Sequence, residues 1–171
     1  SQTDTGRNDL AEAAIALFAR GLDQLVAARA DEGSKLQSIV RGALQDVSAQ
    51  LQQLEPLAQS LPATQRQKLQ DRVDELTTKI EPERLAQEAV LLAQKADIRE
   101  ELDRLRIHVT QSLDLINGQG PHGRRLDFLT QELNREANTL GAKSVCAETS
   151  AASIELKVII EQIREQVQNM E

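Results

Sequence analysis

Apolar residues recur along this chain at alternating steps of three and four, the period of a helix face rather than of a strand. The first seam is Leu10, Ala14, Leu17, Gly21, Leu25 and Ala28, behind Asn8, whose side chain can cap a helix start. Residues 1–7 are polar and read as a disordered or frayed start. Gly33 interrupts or weakens the run, which resumes as Leu36, Val40, Ala43, Val47, Leu51, Leu54, Ala58 and Leu61. Pro62 is expected to end it, because an interior proline lacks an N–H and crowds the preceding turn. A second arm carries Leu69, Val73, Leu76 and Ile80. Two arms about a short Pro-containing turn predict a long antiparallel helical hairpin over 8–80, with seams narrow enough for coiled-coil packing.

The pattern continues after Pro82, which suits a first helical turn. A segment from Glu83 to Gln94 comes first. Asp97 can then cap a helix with the seam Ile98, Leu102, Leu105, Val109, Leu113 and Ile116. The stretch Asn117-Gly-Gln-Gly-Pro-His-Gly123 reads as a loop. Leu126, Leu129, Leu133, Ala137 and Leu140 share the next helix, which Gly141 is expected to close. Leu156, Ile160, Ile163, Val167 and Met170 mark the last one. Residues 81–171 are therefore expected to form a C-terminal helical bundle.

Composition sharpens the class to all-α. Aromatic residues make up 1% of the chain, namely Phe18 and Phe128, too few for an ordinary β-sandwich or barrel. Ala, Leu, Gln, Glu and Arg dominate, all good helix formers. The net charge is −7, which argues mildly against a free-standing nucleic-acid binder, because phosphate contacts usually demand a basic surface. Cys146 is the single cysteine, so no intrachain disulfide can form, as suits a reducing compartment. No apolar run approaches the roughly 20 residues of a membrane span, and no signal-peptide pattern opens the chain. A cytoplasmic location is expected.

Walker loop, dinucleotide fingerprint, nucleophile elbow and CxxC pair are all missing. Chemistry must come from charge beside the seams. Asp97, Glu101, Arg104 and His108 step by four, three and four, each just before a seam residue. Glu132 and Glu136 do the same before Leu133 and Ala137, with Arg125 and Arg135 close in sequence. Carboxylates one turn apart can share a hard cation such as Mg²⁺ or Mn²⁺, which activates water and stabilises charge developing on a phosphate. His108 offers a ligand or a general acid or base. Neighbouring arginines can hold phosphate oxygens by two-pronged hydrogen bonds. The plainer alternative stands beside this one. Glu101 and Arg104 can be a surface ion pair, His108 a half-buried spacer, His122 a solvated loop residue and Cys146 a small packing residue.

Longer strings carry more weight. Glu83-Arg-Leu-Ala-Gln-Glu88, Lys95-Ala-Asp-Ile-Arg-Glu-Glu-Leu-Asp-Arg-Leu105 with His108, and Gly123-Arg-Arg-Leu-Asp-Phe128 resemble the YicC family in order and spacing. Gln131-Glu-Leu-Asn-Arg-Glu-Ala-Asn-Thr139, Lys143-Ser144, Glu155-Leu-Lys157 and the ending from Glu161 to Glu171 extend the likeness. From Asn8 to Lys79 it is looser, resting on helical layout and Arg29-Ala-Asp-Glu-Gly33. The resemblance implies a bacterial endoribonuclease, dependent on Mn²⁺ or Mg²⁺, that assembles as an oligomer, a hexamer, around RNA and acts in RNA turnover and stress responses. On the matching positions it implies His108, Glu101, Glu132 and Glu136 for catalysis, Asp97, Glu101, Glu132 and Glu136 for metal, and Arg124, Arg125, Arg135 and Lys143 for RNA phosphates. The family's β-containing N-terminal region has no counterpart here, so the chain is expected to be the C-terminal portion of a longer protein.

An acidic chain can still hold RNA if arginines of several subunits line one channel, since local potential outweighs net charge. With so few aromatics, recognition is expected through backbone and shape more than base stacking. Two further functions compete: an RNA clamp or adaptor that delivers RNA to another ribonuclease, and a purely structural oligomerisation bundle. Convergence of Glu101, His108, Glu132 and Glu136 would favour the nuclease. A ring of Arg124, Arg125, Arg135 and Lys143 without clustered carboxylates would favour the clamp.

Overall fold

A computed structural model describes residues 2–75, 81–118, 120 and 122–170, with side chains of all these except 2–9 and 82. It is helical, with no strand among the described residues: α1 (Gln2–Asp74), α2 (Pro82–Ala96), α3 (Arg99–Asn117), α4 (Gly123–Ala142) and α5 (Ala147–Gln168). The chain divides into two compact units, Ser1–Ser38 and Ile39–Glu171.

In the first unit α1 starts at Gln2, within the stretch expected to be a frayed start. Leu10, Ile15, Leu17, Phe18, Leu22, Leu25 and Val26 are 46–73% exposed. At helical spacing they share one broad side, an amphipathic face turned to solvent rather than packed in a seam.

The second unit holds the core. Val40, Leu44, Val47, Leu51, Leu54, Ala58 and Leu61 of α1 join Leu102, Leu105 and Val109 of α3, Leu126, Leu133 and Leu140 of α4, and Leu156, Ile160 and Ile163 of α5 in one buried cluster. The turn expected at Pro62 is not there, and with it goes the predicted hairpin. Pro56 and Pro62 both lie inside α1, which continues to Asp74. Each proline removes one main-chain hydrogen bond. Around Pro62 the lost regularity is offset by burial of Leu54, Ala58 and Leu61, and the Ser60 and Thr64 hydroxyls donate to the carbonyls of Leu57 and Ser60 at 3.0 Å. Core packing thus overrides a local helix breaker. Leu76 and Ile80 of the expected second arm lie outside the described residues, as does Glu171 at the end of the family-like strings.

Within this unit α1 and α3 run antiparallel. Arg41 donates to Asn117 at 2.9 Å, and Arg106 pairs with Glu55 farther along. That pairing holds the Glu55 carboxyl below its ordinary range. Asp97 serves α3 much as expected. Its backbone is extended, and its Oδ1 accepts the Arg99 N–H at 3.1 Å, one residue ahead of Ile98, which directly precedes the helix. Gly141 falls within α4, where its bare Cα lets α5 approach. A Cβ there would lie 2.6 Å from the Ser153 hydroxyl, which donates to the Ala137 carbonyl. That close approach seats α4 and with it the carboxylates it carries.

Candidate metal centre on helices α3 and α4

The antiparallel pairing of α3 and α4 lays their polar edge residues opposite one another in rungs. Glu101 faces Lys143, Arg104 faces Glu136, and His108 meets Glu132 and Glu136. Each rung follows from the one-turn spacing of residues that border the seam on its own helix.

At the first rung, Lys143 Nζ lies 2.8 Å from Glu101 Oε1 and donates to the Asp97 carbonyl at 3.1 Å. The Glu101 side chain is 6% exposed and that of Lys143 is 30% exposed. A carboxylate this buried needs a cation, and Lys143 supplies it. At the second rung, Arg104 Nη1 lies 3.2 Å from Glu136 Oε1, while its Nη2 reaches Glu100 at 2.6 Å. Hydrogen bonding to Glu136 first, then attraction to Glu100, raises the Arg104 pKa, so this guanidinium stays charged.

The third rung gathers donors rather than neutralising them. His108, Glu132 and Glu136 each offer one ligand atom, and these atoms lie within 4.8 Å of one another. His108 and Glu132 are half-buried, and Glu136 is buried. His108 Nδ1 sits 3.4 Å from Gln111 Oε1. A proton on Nδ1 pointing there leaves the Nε2 lone pair for a ligand. Arg135 Nη1 stands 4.0 Å from Glu132 Oε2, at the edge of contact. One imidazole and two carboxylates suit a divalent ion of mixed nitrogen and oxygen preference, Mn²⁺ better than Mg²⁺. The residues therefore fit the metal expected from the sequence, on fewer ligands.

The expected set is redistributed. His108, Glu132 and Glu136 converge. Glu101 does not join them, because Lys143 and burial hold it one rung away. Asp97 is engaged by Arg99, at 2.6 Å between Oδ2 and Nη2, and that guanidinium holds the Asp97 carboxyl down to about 2. Lys143, expected on RNA, is committed to Glu101. The anticipated Glu101–Arg104 pair is replaced by Arg104 with Glu100 and Glu136. His122, expected to be solvated, has its Nε2 buried without a hydrogen-bond partner among the described residues. Cys146 is half-buried beside the Thr149 hydroxyl, 3.3 Å away.

One turn beyond the third rung the same α3/α4 groove opens into a cleft lined by Gln111, Asp114, Leu115, Arg124, Arg125, Phe128 and Leu129. Arg124 and Arg125 form no ion pair among the described residues and are exposed. Gln111 and Asp114 are not among the residues the sequence singled out, and Phe128 entered there only as one of two aromatics and the end of a family-like string. The three-residue step from His108 to Gln111 is the one signal that could have found the first.

Residues 54–171 match the family model described as "Endoribonuclease YicC-like, C-terminal", so the chain belongs to the YicC-like endoribonuclease family. A protein of Haemophilus influenzae named "Probable endoribonuclease YicC" is 41% identical over 150 residues, which is 88% of this chain and 52% of the relative. A protein of the same name in Clostridioides difficile is 36% identical over 146 residues, 84% of this chain and 50% of the relative. The chain thus spans about half the length of these relatives. No helix among the described residues is long and apolar enough to cross a membrane.

Proposed function

We propose that this chain is the metal-bearing helical part of an endoribonuclease that cleaves RNA phosphodiester bonds. The observation that carries this reading is the convergence of His108, Glu132 and Glu136 on α3 and α4, in a chain whose relatives are named as endoribonucleases. His108, Glu132 and Glu136 would hold a divalent cation, Mn²⁺ in preference to Mg²⁺, which would supply an activated water and charge stabilisation at the phosphate. The chain's own residues do the rest. Gln111 orients His108, and Arg104 offsets the charge of Glu136 without displacing it from the cluster. Arg124 and Arg125, in the adjoining cleft, and Arg135, beside Glu132, take phosphate oxygens of the flanking backbone.

The same reading places the protein in cytoplasmic RNA turnover and stress response. It assigns assembly into a hexamer to surfaces such as the apolar face of residues 10–26, since exposed apolar faces of that kind mark interaction sites. The test is cleavage of an end-labelled structured RNA with Mn²⁺ or with a chelator, comparing the chain with Glu132→Gln and His108→Ala. Metal-dependent internal cuts that both substitutions abolish, at unchanged helicity, are expected. Binding without cuts, restored to cleavage by adding a second ribonuclease, would favour the adaptor function instead.

A further inference from the structure

We infer that the cleft beside the third rung is a base-reading subsite that holds one unpaired guanine next to the cleaved phosphodiester. The inference rests on the ribonuclease reading for its substrate, but on separate residues. Phe128 is 61% exposed, although α4 buries Leu126 and Leu129 on either side of it. A large aromatic face left in water within a cleft is a platform for stacking. Phe128 lies four residues before Glu132, and Gln111 three residues after His108, so both stand one helical turn from the candidate metal ligands. A base flanking the cut would reach them.

The charges around Phe128 specify the rest. Arg124 and Arg125 line the same cleft and have no acidic partner among the described residues, so they are available to the phosphates on either side of the base. Asp114 lines it too, and it forms no ion pair among the described residues. A carboxylate repels phosphate and accepts hydrogen bonds only. Asp114 therefore faces the edge of the base. Guanine alone among the four bases presents two adjacent donors, the ring N1–H and the exocyclic amino group, to a two-oxygen acceptor. Stacking on Phe128 requires the base to be out of a helix, so the subsite takes single-stranded segments and not duplex.

The experiment is fluorescence anisotropy of the full chain with labelled single-stranded oligouridylate. The oligomer carries one central guanosine, adenosine or abasic position, and chelator is present so that nothing is cut. The guanosine oligomer is expected to bind more tightly than the other two. Phe128→Ala should weaken it about tenfold, the loss of one base–aromatic stack, and leave the abasic oligomer unchanged. Phe128→Trp should restore binding, and Asp114→Asn should erase the preference for guanosine over adenosine. Because Phe128 is exposed, these variants keep their helicity, which circular dichroism checks. Equal binding of all three oligomers, no binding of any, or no effect of Phe128→Ala overturns the subsite. Base-selective binding in a chain that does not cut RNA with Mn²⁺ would instead sustain the subsite and count against cleavage by this chain alone.

Discussion

Replacing Lys143 by Met separates two roles for one lysine. In the structure Lys143 neutralises Glu101, with its Nζ 2.8 Å from Oε1, and it also bonds the Asp97 carbonyl at 3.1 Å. Glu101 is 5% exposed, so loss of the ammonium strands a buried carboxylate. Breaking a fully buried pair costs about 3–5 kcal/mol. Because the Lys143 side chain is 30% exposed, water can enter the space it leaves. We therefore expect a smaller loss, about 2–3 kcal/mol, a shift of roughly 4–12 °C in melting temperature for a chain of this size. In a Glu101→Gln background the same substitution strands no charge, so its cost should fall to about 1 kcal/mol. Urea unfolding of the four proteins of this cycle gives the coupling. RNA affinity, measured well below the unfolding midpoint, should stay within about twofold. A Lys143→Met protein of unchanged stability that has lost RNA affinity would refute the pairing argument and return Lys143 to the RNA-contacting set.

Gly141→Ala should destabilise by about 1–2 kcal/mol despite the higher helix propensity of alanine, because the new Cβ meets the Ser153 hydroxyl at 2.6 Å and breaks its bond to Ala137. In a Ser153→Ala background that conflict is gone, and the same change should stabilise by up to about 1 kcal/mol; chemical denaturation reads both signs. The Asp97 carboxyl is held at about 2, below its ordinary 3.8, chiefly by the Arg99 side chain. Its contribution to stability is therefore complete above the unfolded value and lost as pH falls through the folded one. Asp97→Asn should be less stable than the parent at about pH 6 and match it near pH 2, in unfolding curves taken across that range.

The helices of the second unit are legible in the sequence because each has one dry face. Leu102, Leu105 and Val109, and Leu133, Ala137 and Leu140, fall in the core where their spacing places them. Pro62 is illegible because burial of Leu54, Ala58 and Leu61 outweighs a local propensity. Leu10 to Leu25 have the right spacing for a seam, yet spacing cannot say whether a partner is present; in the structure they face solvent. For the site, one-turn spacing puts Glu101, Arg104 and His108 along one edge of α3, with Asp97 just ahead of the helix. It cannot tell which of them meets a cation across the groove. That depends on the register of α3 against α4, which sets Lys143 opposite Glu101 and leaves His108 opposite Glu132. Phe128 gives no sign of a site in the sequence, because an aromatic between Leu126 and Leu129 has the spacing of a packing residue and only the structure shows it exposed.

The proposed binding of one metal ion by His108, Glu132 and Glu136 can be read by pulsed electron paramagnetic resonance of Mn²⁺ added to the chain. The chain has 2 histidines, so imidazole nitrogen modulation on the manganese signal can be assigned by substitution. We expect that modulation in the parent and in His122→Ala, with one tightly bound Mn²⁺ per chain. It should vanish in His108→Ala, and Glu132→Gln should weaken binding by at least about tenfold. Manganese that binds without nitrogen coupling, or coupling that survives His108→Ala, would contradict the account.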